Sequence, residues 1–257
     1  MNRFIAYYRT SIGKKVVMAV TGLIMAAYVL AHMAGNLQLY FSSNCEPLRV
    51  AEAPLAAAGA ESQAESGPPV FPRECRINQY AAFLHSSNMK PVLWTARAVL
   101  LGSIFLHSLA ATQLTLYNWG SRPVRYRKRR YREADYAART MIFSGPLIAA
   151  FVVYHLLHLT AGTVHSGMFR ELDPFHNLIA GFSVWWIAAI YMIAVVVLGL
   201  HFFHGLWSWF QTLGWNRPGH EKWRRAVALA YAAVVIVGDL SFPILVLAGV
   251  VSGKGGA

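Results

Sequence analysis

The sequence predicts an all-α integral membrane protein: five transmembrane helices, the first four bundled, plus a short outer surface helix in a single domain spanning 1–257. Three observations carry this reading. Hydrophobic residues make up 56% of the 257 residues and charged ones only 13%, too few to cover a soluble globule. Five apolar stretches, 16–41, 91–117, 141–164, 178–210 and 226–251, each exceed the roughly 20 helical residues that cross a bilayer. The basic residues are also lopsided. Those before the first stretch (Arg3, Arg9, Lys14, Lys15), those of the second connection (residues 122–139) and those of the fourth (Arg217, Lys222, Arg224, Arg225) hold 16 of the 23.

Alternating crossings put all three basic segments on one side, which the positive-inside rule makes the cytoplasm. The chain is therefore expected in the cell's inner, cytoplasmic membrane, with its N-terminus inside and its C-terminus outside. The net charge of +12 becomes a topology signal and a contact for anionic membrane lipid, compatible with docking a soluble partner. Charge concentrated at one end of a membrane bundle does not point to nucleic acid.

The lead-in, residues 1–15, is basic and aromatic. With the apolar run behind it, it resembles a signal peptide. That run is about twice as long as a 7–15-residue signal core, so it is expected to be retained as the first helix. The first stretch carries Gly22, His32, Asn36 and Gln38, and His32 and Asn36, four apart, share a face. An external loop follows, residues 42–76, whose middle, 51–69, is Ala-, Glu-, Gly- and Pro-rich low-complexity sequence.

Cys45 and Cys75 bracket this loop and are the chain's only cysteines. On the oxidising outer face a disulfide is the preferred reading, with two free thiols the alternative. Closing a loop of about 30 residues contributes about 3–4 kcal/mol in the chain-entropy model. Residues 77–86 read as a short amphipathic helix on the outer surface. The second stretch opens at Pro91, tolerated at a helix start, and carries Arg97 and His107. The third carries His155 and His158, and an outer loop with Glu171, Asp173 and Pro174 leads to the fourth. There His201 and His204 precede Trp207, Trp209 and Trp215, an interfacial belt. The fifth carries Asp239 and a kink expected at Pro243. No internal repeat, phosphate loop or Rossmann fingerprint is present.

Ionisable side chains inside lipid-spanning helices are costly and default to function. Each of the first four helices places a histidine in its C-terminal half. His32 and His155 fall about 8 and 9 residues before outer ends, and His107 and His201 about 10 before inner ends, at 1.5 Å per residue. That makes an outer pair, His32 with His155, and an inner pair, His107 with His201. Two stacked histidine pairs on facing helices can hold two bis-histidine haems, making the first four helices a haem-binding bundle. A lone intramembrane histidine is more often hydrogen-bonded filler or a proton-pathway residue; four at two matched depths favour ligation. His158 and His204 sit one turn away, and each is either the alternative ligand or a propionate partner. Gly22, Gly102, Gly199 and Gly205 are read as making room for the macrocycles. Arg97, about 15 Å outward of His107, is assigned to an outer-haem propionate, with a snorkelling cation the alternative. Asp239 pairs with Arg97, serves protonation near a quinone, or is a structural carboxylate.

The segment Ser11-Ile12-Gly13-Lys14-Lys15-Val16-Val17-Met18-Ala19-Val20-Thr21-Gly22 resembles the opening signature of a known family. That family is the cytochrome b subunit of succinate:quinone oxidoreductases, succinate dehydrogenase and fumarate reductase, of the single-chain, five-helix, di-haem type. His204-Gly205-Leu206-Trp207-Ser208 with Gln211-Thr212-Leu213-Gly214-Trp215 resembles its fourth helix. The resemblance covers nearly the whole chain except the 42–76 loop, which looks like an insertion. It implies two haem b groups, with the first histidine of the third- and fourth-helix pairs as ligand: His155 with His32, and His201 with His107. It implies a membrane anchor (complex II) for an iron–sulfur subunit and a flavoprotein subunit at the cytoplasmic face. FAD and the iron–sulfur clusters reside on those partners, for which this chain has no residues of its own. Electrons from succinate then pass through both haems to a quinone, menaquinone for this type.

The quinone site is weakly marked. Where some members carry glutamates this chain has Tyr80 and Gly199, so Asn78, Tyr80 and His85 are candidate neighbours by position, with an interfacial anchoring belt as the alternative. Three competing readings remain: another bis-histidine membrane cytochrome of the formate dehydrogenase or hydrogenase type, a non-redox transporter relaying protons through its histidines, and a haem-free structural anchor.

Overall fold

A Thr hydroxyl, a buried Asp and a series of glycines decide where the helices begin and end. The computed structural model describes residues 3–42, 45, 73–121, 136–215, 217 and 219–252, and no strand occurs among them. Eight α-helices follow in order: α1 (Arg3–Tyr8), α2 (Ser11–Asn36), α3 (Arg76–His85), α4 (Lys90–Gly120), α5 (Tyr136–Leu159), α6 (Pro174–Phe182), α7 (Trp185–Thr212) and α8 (Glu221–Leu247). Five spans are long and apolar enough to cross a bilayer: Ser11–Phe41, Lys90–Gly120, Thr140–Leu159, Trp185–Thr212 and Glu221–Leu247.

Thr10 starts α2 earlier than the apolar run at 16. Its Oγ1 accepts from the Gly13 amide at 2.9 Å and donates to the Tyr7 carbonyl at 2.7 Å, so it caps the helix while closing the turn from α1. A Cβ at Gly13 would collide with the Tyr7 carbonyl, which fixes glycine at this close approach. Lys14 and Lys15 therefore ride on α2, and Arg139, expected in a connection, lies in the first turn of α5.

The third stretch ends at Leu159, short of residue 164. Gly162 adopts φ +63°, and the Ala161 and Thr163 amides fold back to the Leu156 and Leu157 carbonyls at 2.8 and 3.0 Å. The fourth stretch, expected as one helix over 178–210, is two. Asp173 accepts from the His176 amide at 3.0 Å and, with Pro174 next, starts α6 before the apolar run begins. The Ser183 hydroxyl bonds the Ile179 carbonyl at 2.7 Å where α6 gives way to α7. Hydropathy passes over this break because both sides are apolar.

The described chain packs as two compact units. In the first (1–33, 96–153, 190–240), Ala26, Phe202 and Val235 form a core joined by Leu30, Leu198 and Tyr231. The Tyr231 hydroxyl donates to the Ala26 carbonyl at 2.7 Å, tying α8 to α2. Leu101, Phe105, Phe143 and Val237 of this unit are exposed, an apolar exterior suited to lipid.

In the second unit (34–95, 154–189, 241–257), a disulfide joins Cys45 to Cys75 across a separation of 30 residues. Helix α3, expected over 77–86, packs against α6 and the 3₁₀ turn Leu37–Phe41. Asn78, fully buried, latches it in place: its Nδ2 donates to Asp173 Oδ1 at 2.8 Å and its Oδ1 accepts from the Phe175 amide at 3.0 Å. Tyr40 bonds Ser241 through their hydroxyls and stacks on Phe242. The low-complexity residues 51–69 and most of the basic connection 122–139 lie outside the described residues.

Candidate functional site

Four helices of the first unit converge on two imidazoles. His107 projects from α4 and His201 from α7, with ring centroids 6.3 Å apart. Pointed at each other, their nitrogens would still stand about 4 Å apart, beyond hydrogen-bond reach. The gap matches one metal ion between them. With metal–nitrogen bonds of about 2 Å and ring nitrogens about 1.1 Å from the ring centres, two axial imidazoles stand about 6 Å apart.

The second nitrogen of each ring is held by a hydroxyl from another helix. Thr21 on α2 donates its hydroxyl hydrogen to the Val17 carbonyl at 2.7 Å, which leaves its oxygen to accept from His107 Nδ1 at 3.2 Å. Ser144 on α5 bonds the Met141 carbonyl at 3.3 Å and shares a hydrogen bond with His201 Nδ1 at 3.1 Å. With the hydrogen on Nδ1, each ring donates to its hydroxyl oxygen. Both Nε2 lone pairs are then available to a metal. The donor set thus fits a haem iron, whose remaining four ligands come from the porphyrin. Among the described residues no group of three or more His, Cys, Asp or Glu converges, and a bis-histidine haem needs none.

The glycines divide into three kinds. A Cβ at Gly22 would lie 3.4 Å from the His107 ring, so Gly22 makes room for the ligand itself. Gly102 and Gly205 face open space. Gly199 does not make room for a macrocycle: a Cβ there would strike Ile236, and its role is close packing of α7 on α8.

The remaining sequence candidates of this unit are placed as follows. His32 stacks on Tyr28 with centroids 5.6 Å apart, one turn before the α2 end at Asn36. His204 meets Trp207 edge-on. Arg97 and Asp239 are both half-buried.

In the second unit His155 sits one turn before the α5 end at Leu159, the position His32 holds in α2. His158 is buried, its ring 2.9 Å from where a Cβ on Gly181 would stand. It meets His165 edge-on at 5.3 Å, and His165 in turn faces Trp186 at 5.2 Å and the Tyr154 hydroxyl at 3.4 Å. His165 holds φ +60°, a left-handed conformation uncommon outside glycine. Of the quinone candidates, Asn78 has both ends of its amide engaged by the protein. The Tyr80 ring lies over Gly35, and His85 Nδ1 bonds the Ala81 carbonyl at 2.9 Å. Near them burial and the Arg170 guanidinium hold the His176 pKa below its ordinary value, against the opposing pull of Asp173.

Sequence reasoning did not single out Thr21, Ser144 or His165. A hydroxyl within reach of a histidine on another helix is a tertiary fact, and His165 lies in a loop where no helical period marks it. Comparisons with protein-family models, with curated proteins and with solved structures find no match to this chain.

Proposed function

We propose that the chain is the membrane-anchor di-haem b cytochrome of a succinate:quinone oxidoreductase, passing electrons from an iron–sulfur subunit to a membrane quinone, menaquinone for this type. The observation that carries the reading is the inner pair: His107 and His201 on facing helices, 6.3 Å apart, each with Nδ1 held by a hydroxyl and Nε2 left for a metal. The outer pair, His32 with His155, rests on the matched places of those residues in α2 and α5. A haem held this way supplies one-electron exchange at a potential set by ligands, burial and nearby charge.

The chain's own residues do the rest. Thr21 and Ser144 fix ring orientation and tautomer, so the site is formed before the cofactor arrives. The apolar helices exclude water, and the basic lead-in and second and fourth connections offer a cytoplasmic face to the iron–sulfur and flavoprotein partners. Tyr80, His85 and the Asn78 edge are the quinone neighbours by position.

A reduced-minus-oxidised absorption spectrum of the purified complex, with haem counted per chain, tests the reading. It predicts b-type bands, two haems per chain and reduction by succinate. A complex without a Soret band, or with bands that succinate does not reduce, overturns it.

A further inference from the structure

On the cytoplasmic side of the inner histidine pair, two buried hydrogen-bond donors lack an acceptor. Arg224, in the first turn of α8, is only 3% exposed; its Nε reaches the His220 carbonyl at 3.4 Å, and its Nη1 has no partner. Trp207, on α7, is 6% exposed, and its Nε1 has none either. The two helices adjoin at this level: the Arg225 guanidinium lies 5.9 Å over the rings of both Phe203 and Trp207, and Phe210 packs on Trp223 at 5.5 Å.

An arginine cannot escape burial by losing its proton, so its charge requires an anion. Its burial keeps the guanidinium from a docking partner's carboxylates, which leaves a ligand inside the bundle. Trp207 lies six residues inward of His201, about 9 Å along the helix. Arg224 lies seven residues inward of Tyr231, whose ring meets Phe202 beside His201 at 5.3 Å; that is about 10 Å. The two donors thus stand at one depth, on the side of the His107–His201 pair toward which a bound macrocycle can extend its acid arms.

We propose that Arg224 and Trp207 seat a carboxylate of the porphyrin held by His107 and His201, Arg224 as its counter-charge and Trp207 as a neutral donor. This rests on the reading above. The seat makes the inner haem's potential depend on a residue far outside its ligand set. A carboxylate without its cation favours the oxidised, more positive iron, so removing Arg224 lowers that potential.

The test is a redox titration of the assembled complex, following each haem's absorbance, for the wild type, Arg224→Gln, Trp207→Phe and Lys90→Gln. In Arg224→Gln the inner haem is expected to lose stability of its reduced form about tenfold, about 59 mV for a one-electron couple. The outer haem stays put. Trp207→Phe, which keeps the ring and removes only the N–H, shifts the inner haem the same way by less, and carries the test if Arg224→Gln does not assemble. Lys90→Gln, an exposed cation at the start of α4, leaves it nearly unmoved. Inner potentials equal to wild type at full haem content overturn the seat alone, as does an equal shift from Lys90→Gln. A wild-type complex without haem overturns the proposed function and the seat together.

Discussion

Thr21 and Ser144 each reach Nδ1 of a histidine on another helix, the arrangement the proposed haem ligation calls for. Each hydroxyl bonds a carbonyl on its own helix and an imidazole nitrogen on another. Thr21→Val keeps the shape and removes the acceptor, freeing His107 to rotate or change tautomer. Partners of this kind cost 10–100-fold in affinity when removed. The expected outcome is inner haem lost about that much faster to an excess of an apo-haem protein, with Thr21→Ser close to wild type; equal loss rates for all three would exclude the role. The histidines were legible in the sequence because polar rings are conspicuous against apolar helices. The hydroxyls were not, because Ser and Thr in a helix commonly bond the carbonyl four residues back, as Thr95, Ser121 and Ser183 do here. Only the position of a neighbouring helix separates Thr21 and Ser144 from those.

Each of the five apolar stretches, found by length alone, overlaps one helix long and apolar enough to cross a bilayer, the fourth with a second helix ahead of it. The surface helix lies within a residue of its expected place. Ends were less legible. They depend on a cap before the apolar run, as at Thr10 and Asp173, or on a glycine turn after it, as at Gly162. The division of the fourth stretch into α6 and α7 reflects packing of α6 against α3 rather than polarity. The latch between them makes two predictions. Asn78→Ala strands the buried Asp173 carboxylate and the Phe175 amide. It should cost about 1–3 kcal/mol, measured as a lower melting temperature of the purified chain. His176, whose pKa in the folded chain lies below its ordinary 6.5, takes up a proton more readily when unfolded. Its contribution to stability is full above pH 6.5 and falls away as pH drops through the lowered folded value. Hydrogen exchange in α6 is expected to quicken over that window in the wild type and to lose the dependence in His176→Gln. An unchanged profile in the variant would place the titration elsewhere.

At the scale of the whole molecule, a basic end, apolar helices and histidines at two depths are consistent with one another. By the positive-inside rule the basic residues of the lead-in and of the second and fourth connections favour a cytoplasmic place for those segments. The disulfide between Cys45 and Cys75 is a bond that an oxidising compartment favours. A polar group inside an apolar helix persists only where something repays its burial, and at the inner pair the proposed iron, held by His107 and His201, would do so. Electron paramagnetic resonance of the oxidised complex, read for wild type, His107→Ala and His201→Ala, tests this most directly. The account predicts two low-spin signals in the wild type, with one and the same signal lost from both variants while the other stays. Two variants that lose different signals, or a wild type with none, would contradict it.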